Sequence, residues 1–267
     1  MCLGSTHAAV KRNLYSVKIV IYRDLMATQS ENPRARTRAA GAVRKATPKR
    51  PVNKAGSGRK PGSPEASPYH HGALRDALLK AAETVLERDG LAGLTLRAVA
   101  REAGVSHAAP THHFGDLTGL VSELAAIGFT QFNATMAATP RPDGSLENTR
   151  RRVAAYVAYA QAHPGMYGLM FRTERLDMTR PALHEAANAS FAGLAGAIGA
   201  SRHEQISTSA LSLEQGAAIA RAWSLVHGFT MLLLDGRLAD ILRRMPAGTD
   251  VETLLGAMLT AQLDRPS

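Results

Sequence analysis

An all-α fold in two parts is predicted by three observations. Helical periodicity runs from about residue 69 to residue 265, a tight glycine-centred break separates two short amphipathic segments within 95–114, and no stretch combines sustained alternation with β-branched enrichment. The smaller part is a three-helix unit holding a helix-turn-helix, and the larger is a helical domain with the surfaces expected for ligand binding and dimerisation. At 267 residues the chain can bury the cores of one large or two ordinary domains.

Charge sets a tail apart from both. The chain carries a net +10, yet residues 1–70 hold 14 Lys and Arg against Asp24, Glu31 and Glu65, a net +11, while 71–267 are close to neutral. A segment this basic and this rich in Ala, Pro, Ser and Gly is expected to be a disordered basic tail over 1–68. Such an arm raises non-specific affinity for phosphate backbones. Within it, Arg59 and Lys60 of GRKPG (58–62) are candidates for contact with a DNA minor groove. The single cysteine, Cys2, precludes a disulfide framework within one chain and fits a reducing compartment. No uninterrupted apolar run approaches the ~18–20 residues that span a bilayer, and SVKIVIY (16–22) makes a poor signal peptide. A cytoplasmic protein without a membrane partner is expected.

The elements follow in order. Leu74, Leu78, Ala81, Ala82, Val85 and Leu86 form one helical stripe that Gly90 closes. After the linker LAGL, Thr95 is placed to cap a helix whose buried face is Leu96, Val99, Ala100 and Ala103. Gly104 makes the turn, and Ser106 is placed to cap a second short helix over His107–His113. Pro110 lies near the first turn of that helix, where a missing amide costs little. Helix, glycine turn, helix is the unit that sets its second helix in a DNA major groove; the same spacing also fits an ordinary αα-hairpin. Asp116 is a favourable N-cap for the next helix, whose buried side is Leu117, Leu120, Val121, Leu124 and Phe129. Beyond the turn-rich 139–145, helices are predicted over about 146–162, 164–174, 180–199, 213–235 and 249–264.

In the second half, residues 217–234 are apolar almost all round, so this helix is expected to be buried on more than one side. Ala218, Ala222 and Gly228 would admit a close helix, and Val251, Leu255, Met258, Leu259 and Leu263 give the last helix its own apolar face. Pairing of these two helices with their copies in a homodimer is expected; an intramolecular bundle core is the alternative. Met166, Tyr167, Met170, Phe171, Trp223 and Met231 are candidates to line a cavity for a small apolar or aromatic ligand, with Arg172, Glu174 and His227 as its polar groups. Ordinary core packing explains the same Met and aromatic pattern.

The stretch GVSHAAPTHHFGD (104–116), preceded by LTLRAVAREA, resembles the DNA-binding domain of the TetR/AcrR family of bacterial transcriptional regulators. YHHGALRDALL (69–79) is similar to the start of the first helix in one branch of that family, and WSLVHG, with Trp223, His227 and Gly228, resembles the WHG-type C-terminal domain of that branch. The resemblance covers about 69–265 and implies a DNA-binding domain at 69–117, with its motif at 95–114, and a ligand-binding and dimerisation domain at 118–265. It implies a repressor that binds a palindromic double-stranded operator, released by a small-molecule effector. The DNA-contacting set would be Thr95, Arg97, Ser106, His107, Ala108, Thr111, His112 and His113, with Phe114 packed beneath. Two positions depart from the pattern: Thr111 stands where a phosphate-contacting Tyr is common, and Leu117 where a Lys is common. Losing that Lys lowers the salt slope of binding by roughly 1.

The other classes weighed are a non-specific architectural DNA binder and a metal-dependent helical enzyme. His70, His71, His107, His112 and His113 invite a metal, but adjacent helical histidines point about 100° apart and no carboxylate completes a set. Neither a phosphate-binding glycine loop nor a nucleophile elbow is present, so no catalytic residue, metal or cofactor is expected. Residues 1–25 are more apolar than the run that Met26 opens, as expected if translation starts at Met26; peptides from 1–25 in the native protein, detected by mass spectrometry, would exclude that start.

Overall fold

The structure, a computed structural model, describes residues 68–263. Among them the elements are α1 (Pro68–Gly93), α2 (Leu96–Glu102), α3 (Ala109–Phe114), α4 (Leu117–Ala137), α5 (Leu146–Ala162), α6 (Pro164–Met170), a 3-10 turn (Thr173–Arg175), α7 (Pro181–Arg202), α8 (Leu213–Leu234), α9 (Leu238–Leu242) and α10 (Val251–Leu263), with no strand among the described residues. Arg59 and Lys60 lie outside the described residues, as does most of the basic tail.

The predicted stripe of α1 is buried at Leu78, Ala81, Ala82, Val85 and Leu86. The helical path kinks at Gly90, whose φ is 68°, and then makes one more short turn to Gly93. Thr95 caps α2 as its position predicts: its side chain accepts from Ala98 N at 3.1 Å. Gly104, at φ 66°, makes the turn to α3, a conformation that side chains with a Cβ rarely adopt. Asp116 caps α4, accepting from Gly119 N at 2.7 Å.

Helix α4 is the spine. It buries Leu120, Val121, Leu124, Ala125, Phe129 and Phe132 and packs against α3, α5, α6 and α7. One continuous core therefore runs from Leu78 in α1 through Phe114, Leu124, Tyr159 and Met166 to Leu183 in α7. The three-helix unit is too small to hold a core alone, and it leans on α4 for the remainder. Polar ties reinforce the same joints. Ser122 Oγ accepts from Asp177 N at 2.8 Å, and Glu123 of α4 pairs with Arg75 of α1 and, at 3.3 Å, with Arg180 ahead of α7. A second core gathers Val157, Phe229, Leu238, Leu255 and Leu259 from α5, α8, α9 and α10.

Three expectations need correction. The helix expected over 164–174 stops at Met170, because Phe171 (ψ 9°) and Arg172 (ψ 62°) leave helical geometry before the 3-10 turn. Helix α9 is not among the predicted elements; its five residues are too few to establish a period. Helix α8 is not enclosed on several sides: it buries only Ala218, Ile219, Phe229 and Thr230, while Leu213 is 85% and Leu232 42% exposed. The chain has no element that covers this outer face among the described residues, so the apolar character of α8 exceeds what its own fold uses.

Leu124→Ala removes a side chain with no exposed surface from the spine. It should lower unfolding free energy by about 2–5 kcal/mol in a denaturant titration.

Candidate nucleic-acid interface

The second helix of the helix-turn-helix is shorter than predicted. It starts at Ala109, not His107, and ends at Phe114. Ser106 does not cap it through its side chain; its carbonyl oxygen instead accepts from Ala109 N at 3.0 Å, and residues 107–108 form a turn. Pro110 explains the late start. Placed in the first helical turn it needs no amide partner, so the helix begins around it and its ring is buried.

Pro110 and Phe114 lie four residues apart and share the buried side of α3. Ser106, His107, Ala108, Thr111 and His112 are exposed, and His113 is half-buried with its ring edge-on to His112 at 5.5 Å. The inner edge is held firmly: the Arg75 guanidinium lies over the Phe114 ring, 5.7 Å from its centroid. Thr95, which caps α2, and Arg97 on α2 are also exposed. Arg101, absent from the predicted set, is exposed one turn beyond Arg97 and shares its face; the four-residue spacing made it legible. It also lies near Asp89, whose carboxyl is held below its usual range chiefly by Arg88, with a smaller pull from Arg101.

The candidates for a ligand cavity divide. Met166, Tyr167 and Met170 are fully buried. Met166 and Met170 bring their sulfurs against α4 at Gly128. Tyr167 and Phe171 instead meet α8: the Tyr167 hydroxyl lies 2.7 Å from His227 Nδ1, and the Phe171 ring is 4.5 Å from the His227 ring and 6.3 Å from that of Trp223. Tyr156, which no sequence pattern singled out, joins this cluster through its hydroxyl, 2.9 Å from that of Tyr167. Arg172 and Glu174 are an exposed pair on the surface at 4.0 Å. Burial pushes the Tyr156 hydroxyl up to about 12, and burial followed by the neighbouring Tyr156 pushes Tyr167 well above the usual phenol range. Both remain neutral hydrogen-bonding groups inside an aromatic wall.

An exposed helix on a glycine turn, seated on a three-helix unit and joined to a larger helical body, defines a helix-turn-helix DNA-binding regulator. Residues 78–124 match the family model of bacterial regulatory proteins of the tetR family, and residues 150–261 match that of the tetracyclin repressor-like C-terminal domain. The chain belongs to the TetR family of transcription regulators. Among solved structures it is similar to a protein of unknown function from Rhodococcus sp. RHA1, at 30% identity, covering 73% of this chain and 96% of that one with a TM-score of 0.56. It shares the fold of a possible TetR family transcriptional regulator from Streptomyces coelicolor A3(2), at 19% identity, 71% and 97% coverage and a TM-score of 0.51. Comparison with curated proteins gave no match. Helix α8 is by length and composition apolar enough to cross a bilayer, but it falls inside the matched C-terminal domain, and Glu214, Arg221 and His227 interrupt it.

The raised Tyr156 and Tyr167 hydroxyls tie stability to alkaline pH. A group whose pKa is higher folded than unfolded contributes stability that is present below its unfolded value and lost as pH rises through its folded value. Urea midpoints should therefore fall from about pH 10 upward, through the Tyr156 value of about 12, and Tyr156→Phe should flatten that fall.

Proposed function

We propose that the chain is a ligand-responsive repressor that binds a near-palindromic operator as a homodimer, acting by binding and not by catalysis. The single observation that carries this is the two-sidedness of α3: Pro110 and Phe114 anchor it while Ser106, His107, Thr111 and His112 stand open above them. A major groove accepts one α-helix in this way. The DNA-reading domain is 69–117 and the regulatory and dimerisation domain 118–265, with the replicating and transcribing cytoplasm as the place of action. Thr95, Arg97 and His113 serve the flanking phosphates, with Arg101 beside them.

The open face of α8 supports the dimer. Beyond its own helix backbone, a Cβ placed on Gly228 or Gly256 would meet no atom of the described residues within 4 Å, so both α8 and α10 leave room for a close neighbour. A twofold pair of heads matches half-sites about one helical turn apart. The effector site is the aromatic cluster of Tyr167, Phe171, Trp223 and His227, backed by Met166 and Met170; it suits a small apolar or aromatic molecule. Such a molecule acts only through its differential affinity for the DNA-bound and released arrangements. The basic tail, through Arg59 and Lys60, adds phosphate and minor-groove interactions that make up for Thr111 and Leu117.

Selection of bound duplexes from a random pool tests the reading. A scrambled version of the selected site should bind at least ~10³-fold more weakly; equal binding of both would identify an architectural DNA binder. A chain starting at Pro68 should bind the selected site more weakly, with a salt dependence shallower by roughly 0.9 for each phosphate that the tail no longer neutralises.

A further inference from the structure

Helix α6 is seven residues long, too short to persist in water unaided. Its own flank supplies little: His163 gives no side-chain cap and Pro164 has no amide hydrogen. The next two amides are taken by one distant carboxylate. Gly165 N donates to Glu87 Oε2 at 2.9 Å and Met166 N to Glu87 Oε1 at 2.8 Å. A charged acceptor at a helix N-terminus is favoured both by charge-assisted hydrogen bonding and by the helix dipole. The approach is close: a Cβ on Gly165 would stand 2.9 Å from Leu86 O and 3.0 Å from Glu87 Oε2, so α6 can seat on α1 only through a glycine.

The residue after Glu87 holds a different partner. Arg88 Nη1 donates to Glu102 Oε2 of α2 at 2.9 Å. Two consecutive residues of α1 thus grip α6 and the helix-turn-helix. Further along α6, Tyr167 is bonded to His227 of α8.

We infer that Glu87 is a positioning residue that clamps α6 to the DNA-reading helices, so that a shift at Tyr167 reaches α2 and α3 through α1. This rests on the reading of the chain as an effector-responsive regulator and names the contact through which the response passes. Glu87 touches neither DNA nor effector; it acts through the amides of Gly165 and Met166.

The test uses the full chain and the selected duplex, with Tyr167→Phe standing in for an effector because it removes the hydroxyl bonded to His227. In the unaltered background Tyr167→Phe should change the operator Kd by about 5-fold or more, the lower end of ordinary coupling. With Glu87→Ala it should change it by less than about 2-fold, and amide exchange at Gly165 and Met166 should quicken by about 10-fold or more. Glu87→Gln keeps the shape and one acceptor oxygen, so it should stay folded and reduce the coupling partway. A merely structural Glu87 would lower the melting temperature and leave the Tyr167→Phe effect intact in both variants; that result, or no effect of Tyr167→Phe on the unaltered chain, overturns the assignment. If the unaltered chain prefers no sequence at all, the regulator reading falls and the assignment with it. Selective binding without coupling overturns the assignment alone.

Discussion

The structure depends on keeping one edge of α3 dry and the other wet. Six helical residues cannot hold their shape by hydrogen bonds alone, so the burial of Pro110 and Phe114 fixes the orientation of the rest. Arg75 closes over Phe114 from α1 and pairs with Glu123 of α4, which in turn meets Arg180. Helix α3 is thereby held at Phe114 by α1, which is itself tied to α4. The exposed Ser106, His107, Thr111 and His112 leave this edge polar and without Lys, Arg, Asp or Glu.

The larger half shows the opposite economy. The core that it shares with α1 is finished within the chain, from Leu78 to Leu183, whereas the second core around Phe229 and Leu255 is thin and leaves much of α8 only half-buried. Between the two lies the hydrogen-bonded chain Tyr156, Tyr167 and His227, which crosses α5, α6 and α8. Tyr156 and Tyr167 are kept neutral by burial, and each hydroxyl is paired, because an unpaired one would cost more than the bond returns. They fix how α8 sits on the rest and so relate the outer face of the body to its interior.

Much of this was legible in the residues. Thr95, Gly104 and Asp116 each stand where a cap or turn demands that residue type, and each is found in that role; the stripe Leu78 to Leu86 and the absence of strands among the described residues followed from period alone. Boundaries were harder. Ser106 looks like a cap because a serine before a helix often is one, but Pro110 decides the start of α3 through its ring, which a spacing argument underweights. The sequence of α6 reads on through Phe171 to Glu174, since nothing local announces the break. The cap from Glu87 was invisible for a different reason: it joins residues nearly eighty positions apart, and only packing brings them together. Tyr156 was missed likewise, its partners lying on two other helices.

The apolar side chains that α8 leaves exposed bear on copy number as well. In the homodimer proposed above, a paired chain would cover the exposed Leu213 and Leu232 of α8, and stability would then rise with concentration. At low abundance the number of assembled pairs grows roughly as the square of the number of chains. Repression by such a pair, as proposed, would be slight at the first few copies and then set in over a narrow range.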